Sequence, residues 1–162
     1  MKRILLSMVL IAGLGGYTAS KSQIDRDKSA DSDMMAWRTW QHLDNWRKKY
    51  APEYDDGAGA EGIADFVERK LSEDWASLKE LVALSDKSPG LFEFAVSHLG
   101  EITTCNSAKL IVTDALVHCP PGYEKYCTKI RDPLIASDIA GCLPVPLLKE
   151  HGIPYKKQGR SK

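Results

Sequence analysis

The sequence predicts an all-α fold, a compact bundle of about six short helices with two disulfides in its C-terminal third. Three observations carry that expectation. Apolar residues recur at three- and four-residue spacing from Met34 to Ile130, proline and glycine punctuate the chain at short intervals, and all four cysteines lie from Cys105 onward. Of 162 residues 43% are hydrophobic and 27% charged, and 12 Gly with 8 Pro are too few for a low-complexity chain, so composition agrees with one globular domain.

The chain opens with Met1-Lys2-Arg3, continues through an apolar run from Ile4 to Gly16 broken only by Ser7, and reaches Tyr17, Thr18, Ala19 and Ser20. A charged start, a short apolar run and small residues after it form the layout of a signal peptide, expected over 1–19; the run falls short of the roughly 20 residues of a spanning helix. No cysteine precedes Cys105, which closes the lipoprotein route. Residues 20–33, SKSQIDRDKSADSD, hold one bulky aliphatic residue, Ile24, and are expected to form a polar flexible linker.

A helical domain is expected over 34–155. Met34, Trp37, Trp40, Leu43, Trp46 and Tyr50 share one side of a first helix, with Asp31 to Asp33 as acidic caps and Ala51-Pro52 as its end. A Gly-rich acidic loop from Glu53 to Ala60 leads to a second helix carrying Ile63, Phe66, Val67 and Leu71. Ser72 is placed to cap a third, through Trp75, Leu78, Leu81 and Val82, and Ser88 with Pro89 to start a fourth, through Leu91, Phe92, Ala95 and Leu99, which Gly100 stops. Ser107 to Val117 reads as a fifth. A short helix follows Pro121-Gly122, and Pro133 to Ala140 forms another; beyond Gly141 the prolines at 144, 146 and 154 forbid long elements, and 156–162 is a basic, frayed tail.

An even number of cysteines in an exported chain favours disulfides. A helix over 107–117 would hold Cys105 and Cys119 roughly 18–20 Å apart, beyond the bridging limit near 7 Å, which disfavours that pair. Cys119 with Cys127 is preferred, closing a short loop around Pro120-Pro121-Gly122 and leaving Cys105 to meet Cys142.

Twenty-two basic residues balance 22 acidic ones, which removes the simplest argument for nucleic acid, and losing Lys2 and Arg3 with the signal leaves 20 against 22. Gly57-Ala58-Gly59-Ala60-Glu61-Gly62 spells G-x-G-x-x-G, yet the residues before it, Pro52 to Asp56, are no buried strand, so a dinucleotide site is not expected. Cys-x-x-Cys and His-x-x-x-His spacings are missing, and so are the Gly-x-Ser-x-Gly elbow and the His-Glu-x-x-His helix; no cofactor, metal or catalytic residue is expected. His118 adjoins Cys119, but an oxidised cysteine is no nucleophile.

Two surfaces remain for a protein partner. The acidic loop offers Asp55, Asp56 and Glu61 to a basic surface. The Trp-bearing helix offers Trp37 and Trp40 beside basic residues, a hot-spot composition, although aromatics three apart also fill a helical interior. In outline the chain resembles the small exported helical proteins that bind another envelope protein, immunity proteins against periplasmic toxins among them. The resemblance rests on architecture alone and assigns no residue a role. The expected function is a periplasmic or secreted non-enzymatic binding module, an inhibitor or immunity protein. An accessory part of an envelope-spanning assembly and a small cell-wall hydrolase with paired carboxylates are the alternatives. Membrane contact is expected only through an uncleaved signal.

Overall fold

The computed structural model describes residues 21–154 apart from 52, 101–102 and 138–140. The expected signal peptide and the expected basic tail lie outside these. Eight α-helices and a three-residue 3-10 turn are found among the described residues, with 141–142 also in 3-10 conformation, and no strand. They are α1 (Lys21–Met35), α2 (Trp40–Tyr50), α3 (Gly57–Glu73), the 3-10 turn Trp75–Ser77, α4 (Leu78–Ser85), α5 (Leu91–Ser97), α6 (Cys105–Val117), α7 (Glu124–Ala136) and α8 (Val145–Glu150).

Helix α3 is the hub, packing on α1, α5 and α6, while α6 packs most extensively on α7 and α2 leans on α4. The reason lies in its sequence: Ile63, Val67 and Leu71 at i, i+4, i+8 are wholly buried, and Phe66 nearly so, against Trp40, Leu43, Leu78, Leu81, Ile111 and Ile130 in one continuous core. Each wholly buried aliphatic side chain contributes about 1.5–3 kcal/mol before entropy is counted.

Two carboxylates are buried among the described residues, Glu68 on α3 and, more deeply, Asp44 on α2. Asp44 is 1% exposed and its carboxylate receives hydrogen bonds from Lys48 (2.6 Å), Ser88 (2.7 Å) and Arg47 (3.0 Å). Burial pushes its pKa up, but the bonds from Lys48, Ser88 and Arg47 together outweigh burial and hold the carboxyl below its ordinary value. The network ties α2 to the turn before α5.

Both disulfides form with the expected partners. Cys105 joins Cys142 with Cα atoms 5.3 Å apart, and Cys119 joins Cys127 at 6.1 Å. Helix α6 is thereby fastened at both ends, its start to the segment before α8 and its exit to α7. Two disulfides place the folded chain in an oxidising, non-cytoplasmic environment. No described helix is long and apolar enough to cross a membrane.

Several local expectations are corrected. The polar run over 20–33 is helical from Lys21, because residues far along the chain hold it: Ala30 is 1% exposed, the Trp46 indole N–H donates to the Ala30 carbonyl at 3.2 Å, and Arg26 meets Glu53 at 3.0 Å. The aromatic helix expected from Met34 is two pieces, since α1 ends at Met35 and Thr39, extended at φ −132°, ψ 159°, caps α2 by accepting from the His42 N–H. Asp31 to Asp33 therefore close α1 instead of capping α2. The expected loop over 53–60 turns helical at Gly57, and Ser72 and Ser88 cap nothing; Ser72 lies inside α3, and the Ser88 hydroxyl serves Asp44 while Gly90, at φ +84°, starts α5. Pro133 lies inside α7, so the two expected helices merge; Pro133 and Lys129, whose carbonyl loses its donor, are both exposed, where water can replace the bond.

Candidate functional site: two cavities beside the α1–α2 link

Aromatic rings form a row where α1, α2 and α3 meet. Trp37 stands edge-on to Trp46 and to Phe66 at 5.4 Å, Trp40 contacts Phe66 at 5.4 Å, and Tyr50 continues the row to Trp46 (5.5 Å) and Tyr54 (5.8 Å). Trp40 belongs to the core: it is 0% exposed and its indole N–H donates to the Ser77 carbonyl and hydroxyl at 3.0 and 3.1 Å. The reading of Trp40 as a surface anchor is thus corrected, since its one polar atom is already satisfied inside.

Trp37 is different. It is only 3% exposed, yet it lines two cavities, one on each side of the link between α1 and α2. The indole N–H groups of Trp40, Trp46 and Trp75 all bond to the protein, whereas that of Trp37 has no protein partner among the described residues and is not sealed from solvent.

The smaller cavity holds about 270 Å³, between Asp33 and Ala36 on one side and the α2 residues His42, Asn45 and Lys49 on the other, with Trp37 and Trp46 as walls. Spacing explains the α2 contribution, because 42, 45 and 49 follow i, i+3, i+7 and stand on one stripe. Asp33 receives a hydrogen bond from the Tyr50 hydroxyl at 2.8 Å and from the Lys49 ammonium at 3.1 Å. With its one proton committed to Asp33, Tyr50 accepts from Ser29 at 2.9 Å. The Tyr50 hydroxyl, then Lys49, hold the Asp33 carboxyl below its ordinary value, and Tyr50 and Asp33 in turn raise Lys49.

The larger cavity, about 650 Å³, is an open groove between the end of α1 and the start of α3. Its floor is Met34, Trp37 and Phe66, with Met35 left 83% exposed at the edge. Asp31, Glu61 and Asp65 stand on its rim with Arg38 and Arg69. The Arg38 guanidinium donates to the Trp37 and Met35 carbonyls, and Arg69 pairs with Asp65 at 4.0 Å while lying over the Phe66 ring. Asp31 and Glu61 form no ion pair among the described residues, so the rim is net acidic.

Of the sequence-predicted residues, the structure brings Trp37 and Glu61 to this groove. Asp55 and Asp56 stay in the turn before α3, where Asp56 takes the N-cap position without a side-chain bond. Sequence reasoning missed Asp33, His42, Asn45 and Lys49, because it counted the first as a cap and gave the others no part in a site. It missed Met34, which it placed on the apolar side of a helix, and Met35, which it did not single out. Elsewhere, the His118 imidazole meets Asp114 at 2.7 Å, but neighbouring Cys119 is in a disulfide and supplies no thiol. Among the described residues no group of three metal-ligating side chains converges.

No family model, curated protein or solved structure matches this chain. The functional reading therefore rests on the geometry alone.

Proposed function

We propose that the chain is an exported, disulfide-braced binding module, working in the periplasm or outside the cell, that docks another protein in the groove between α1 and α3. The observation that carries this is the pairing of an 83% exposed Met35 and an apolar floor with an acidic rim. A thioether is soft and adaptable, and Met35 stands beside Met34 and Phe66 at the groove instead of alone on the surface. The occupant that fits is a protein segment presenting an apolar side chain to Met34, Met35 and Phe66, flanked by a Lys or Arg that meets Asp31 and Glu61. Inhibition of an envelope-acting enzyme, as immunity proteins perform, is the use we assign to such a module.

Capture from envelope extract with the full chain, in three versions, tests this. The unchanged protein is expected to recover one stoichiometric partner, and Met35→Glu and Glu61→Lys each to weaken capture at least about tenfold, the loss of roughly 1.4 kcal/mol. A partner that is itself an enzyme silenced by the module supports inhibition. A multi-copy envelope component supports an assembly role instead. Capture unaffected by both substitutions, or wall-degrading activity by the chain itself, overturns the reading.

A further inference from the structure

The smaller cavity carries chemistry that the docking groove does not use. Its donors are accounted for atom by atom. His42 accepts the Arg38 backbone N–H on Nδ1 at 3.1 Å, which leaves the proton of the neutral ring on Nε2 as a donor. Asn45 accepts from Gln41 on Oδ1 at 2.9 Å, so its NH₂ group keeps both donors without a protein partner. Lys49 gives one proton to Asp33 and lies against Tyr50, and the Trp37 N–H has no protein partner among the described residues. Against these stands one carboxylate. Asp33 receives Tyr50 and Lys49 on Oδ2, and Oδ1 has no partner among the described residues.

A cavity with several unspent donors, one unspent carboxylate oxygen and two indole walls selects a small molecule of matching polarity. The donors call for an anion, and Asp33, already paired with Lys49 at 3.1 Å, keeps Oδ1 open to one further cationic donor, in a cavity of about 270 Å³. The cavity is open to solvent and has room for a small molecule. A simple anion leaves Asp33 repelled; a simple cation leaves the α2 donors unused. An α-amino acid answers both charges at once, and its side chain is the part that Trp37 and Trp46 would cover. We infer that the cavity between Asp33 and the His42, Asn45, Lys49 stripe of α2 is a binding site for a free α-amino acid, with carboxylate toward α2 and ammonium toward Asp33.

The inference is independent of the docking groove, and its test reads a different signal. The full chain, ¹⁵N-labelled, is titrated with the common amino acids in both enantiomers while the Trp37 indole cross-peak, identified by its loss in Trp37→Phe, is followed. At least one amino acid is expected to shift that peak saturably with Kd below about 1 mM, and propionate and propylamine to bind at least about tenfold more weakly. Asn45→Leu, an exposed position that the fold tolerates, is expected to weaken the amino acid at least about tenfold. Three results overturn the inference: no amino acid saturating below about 10 mM, propionate or propylamine binding as tightly as the amino acid, or Asn45→Leu binding unchanged.

Discussion

Gly59 and Gly62 sit one turn apart in α3, and replacing each with alanine should have opposite outcomes. Both are helical, so both replacements gain the same backbone term, about 0.5–1 kcal/mol. A Cβ at Gly59 would fall 1.7 Å from the Tyr54 carbonyl oxygen and 2.9 Å from its carbon. That obstacle is backbone, next to a turn closed by the Glu53 N–H on the Tyr50 carbonyl at 3.0 Å and held by the edge-on contact of Tyr54 with Tyr50. Relief requires the turn to move by more than an ångström, and overpacking against backbone costs about 1–3 kcal/mol or more. A Cβ at Gly62 would fall 1.9 Å from the Met34 sulfur, but a thioether end can swing into the adjoining 650 Å³ groove. Gly59→Ala is therefore expected to lower stability by about 2 kcal/mol net, or roughly 4–8 °C in Tm, and Gly62→Ala to stay within about 0.5 kcal/mol of the unchanged chain. Thermal unfolding followed by far-ultraviolet circular dichroism, with both disulfides intact, measures this. Equal stability of the two variants, or a larger loss at Gly62, would refute the argument.

Other substitutions test the remaining structure. Asp44→Asn removes a buried charge from Lys48, Ser88 and Arg47, and should cost about 2–4 kcal/mol in urea unfolding at neutral pH. Because the folded pKa of Asp44 lies below its unfolded value near 3.9, its contribution is complete well above that pH and is lost as pH falls through the folded value; the gap between Asp44→Asn and the unchanged chain should shrink under acid. Asp33→Asn should speed hydrogen exchange of the α1 amides while leaving the global unfolding midpoint nearly unchanged, since Asp33 is half exposed and bonds only Tyr50 and Lys49; acid below the ordinary carboxylate range should do the same to the unchanged chain. Opening Cys105–Cys142, which spans 37 residues, should cost about 3.8 kcal/mol by loop entropy, and opening Cys119–Cys127, which spans 8, about 2.5; paired Cys→Ser variants compared by urea midpoint test the order.

The fold was legible where one residue's neighbours decide its state. Ile63, Phe66, Val67 and Leu71 announce a buried helix face by spacing alone, and a helix between Cys105 and Cys119 excludes their pairing by length. What escaped notice depends on partners far along the chain. Nothing local to Ser29, Ala30 or Asp33 foretells that Tyr50 and Trp46 will hold a polar segment helical. The glycines of Gly57 to Gly62 were read as slack, yet two answer specific crowding: Gly59 admits the Tyr54 carbonyl and Gly62 seats the Met34 sulfur. The candidate site was half legible for the same reason. The polar stripe of His42, Asn45 and Lys49 stands in the sequence at helical spacing, but the second wall comes from α1, whose existence the sequence had denied.

That dependence on α1 joins the two cavities. Asp33 and Ala36 wall the smaller one, Asp31 and Met34 the larger, and the segment from Asp31 to Trp37 serves both. Yet α1 buries little apolar surface, Ala30 being the one fully enclosed residue among its described side chains, and depends on a buried bond from Trp46 and exposed or half-buried ones with Tyr50, Lys49 and Glu53. Such bonds contribute on the order of 1 kcal/mol each, and with so little apolar burial beside them α1 occupies the low end of the local stabilities in this fold. A ligand that bridges Asp33 to α2 adds to the same attachment: at ten times its Kd it stabilises the docked helix by about 1.4 kcal/mol. By reciprocity, anything seated in the groove against Met34 tightens the amino-acid site by the same factor that the amino acid tightens the groove. Slower exchange of the α1 amides on adding the amino acid is the expected sign of this coupling, and unchanged exchange at saturating ligand would show that the two cavities act apart.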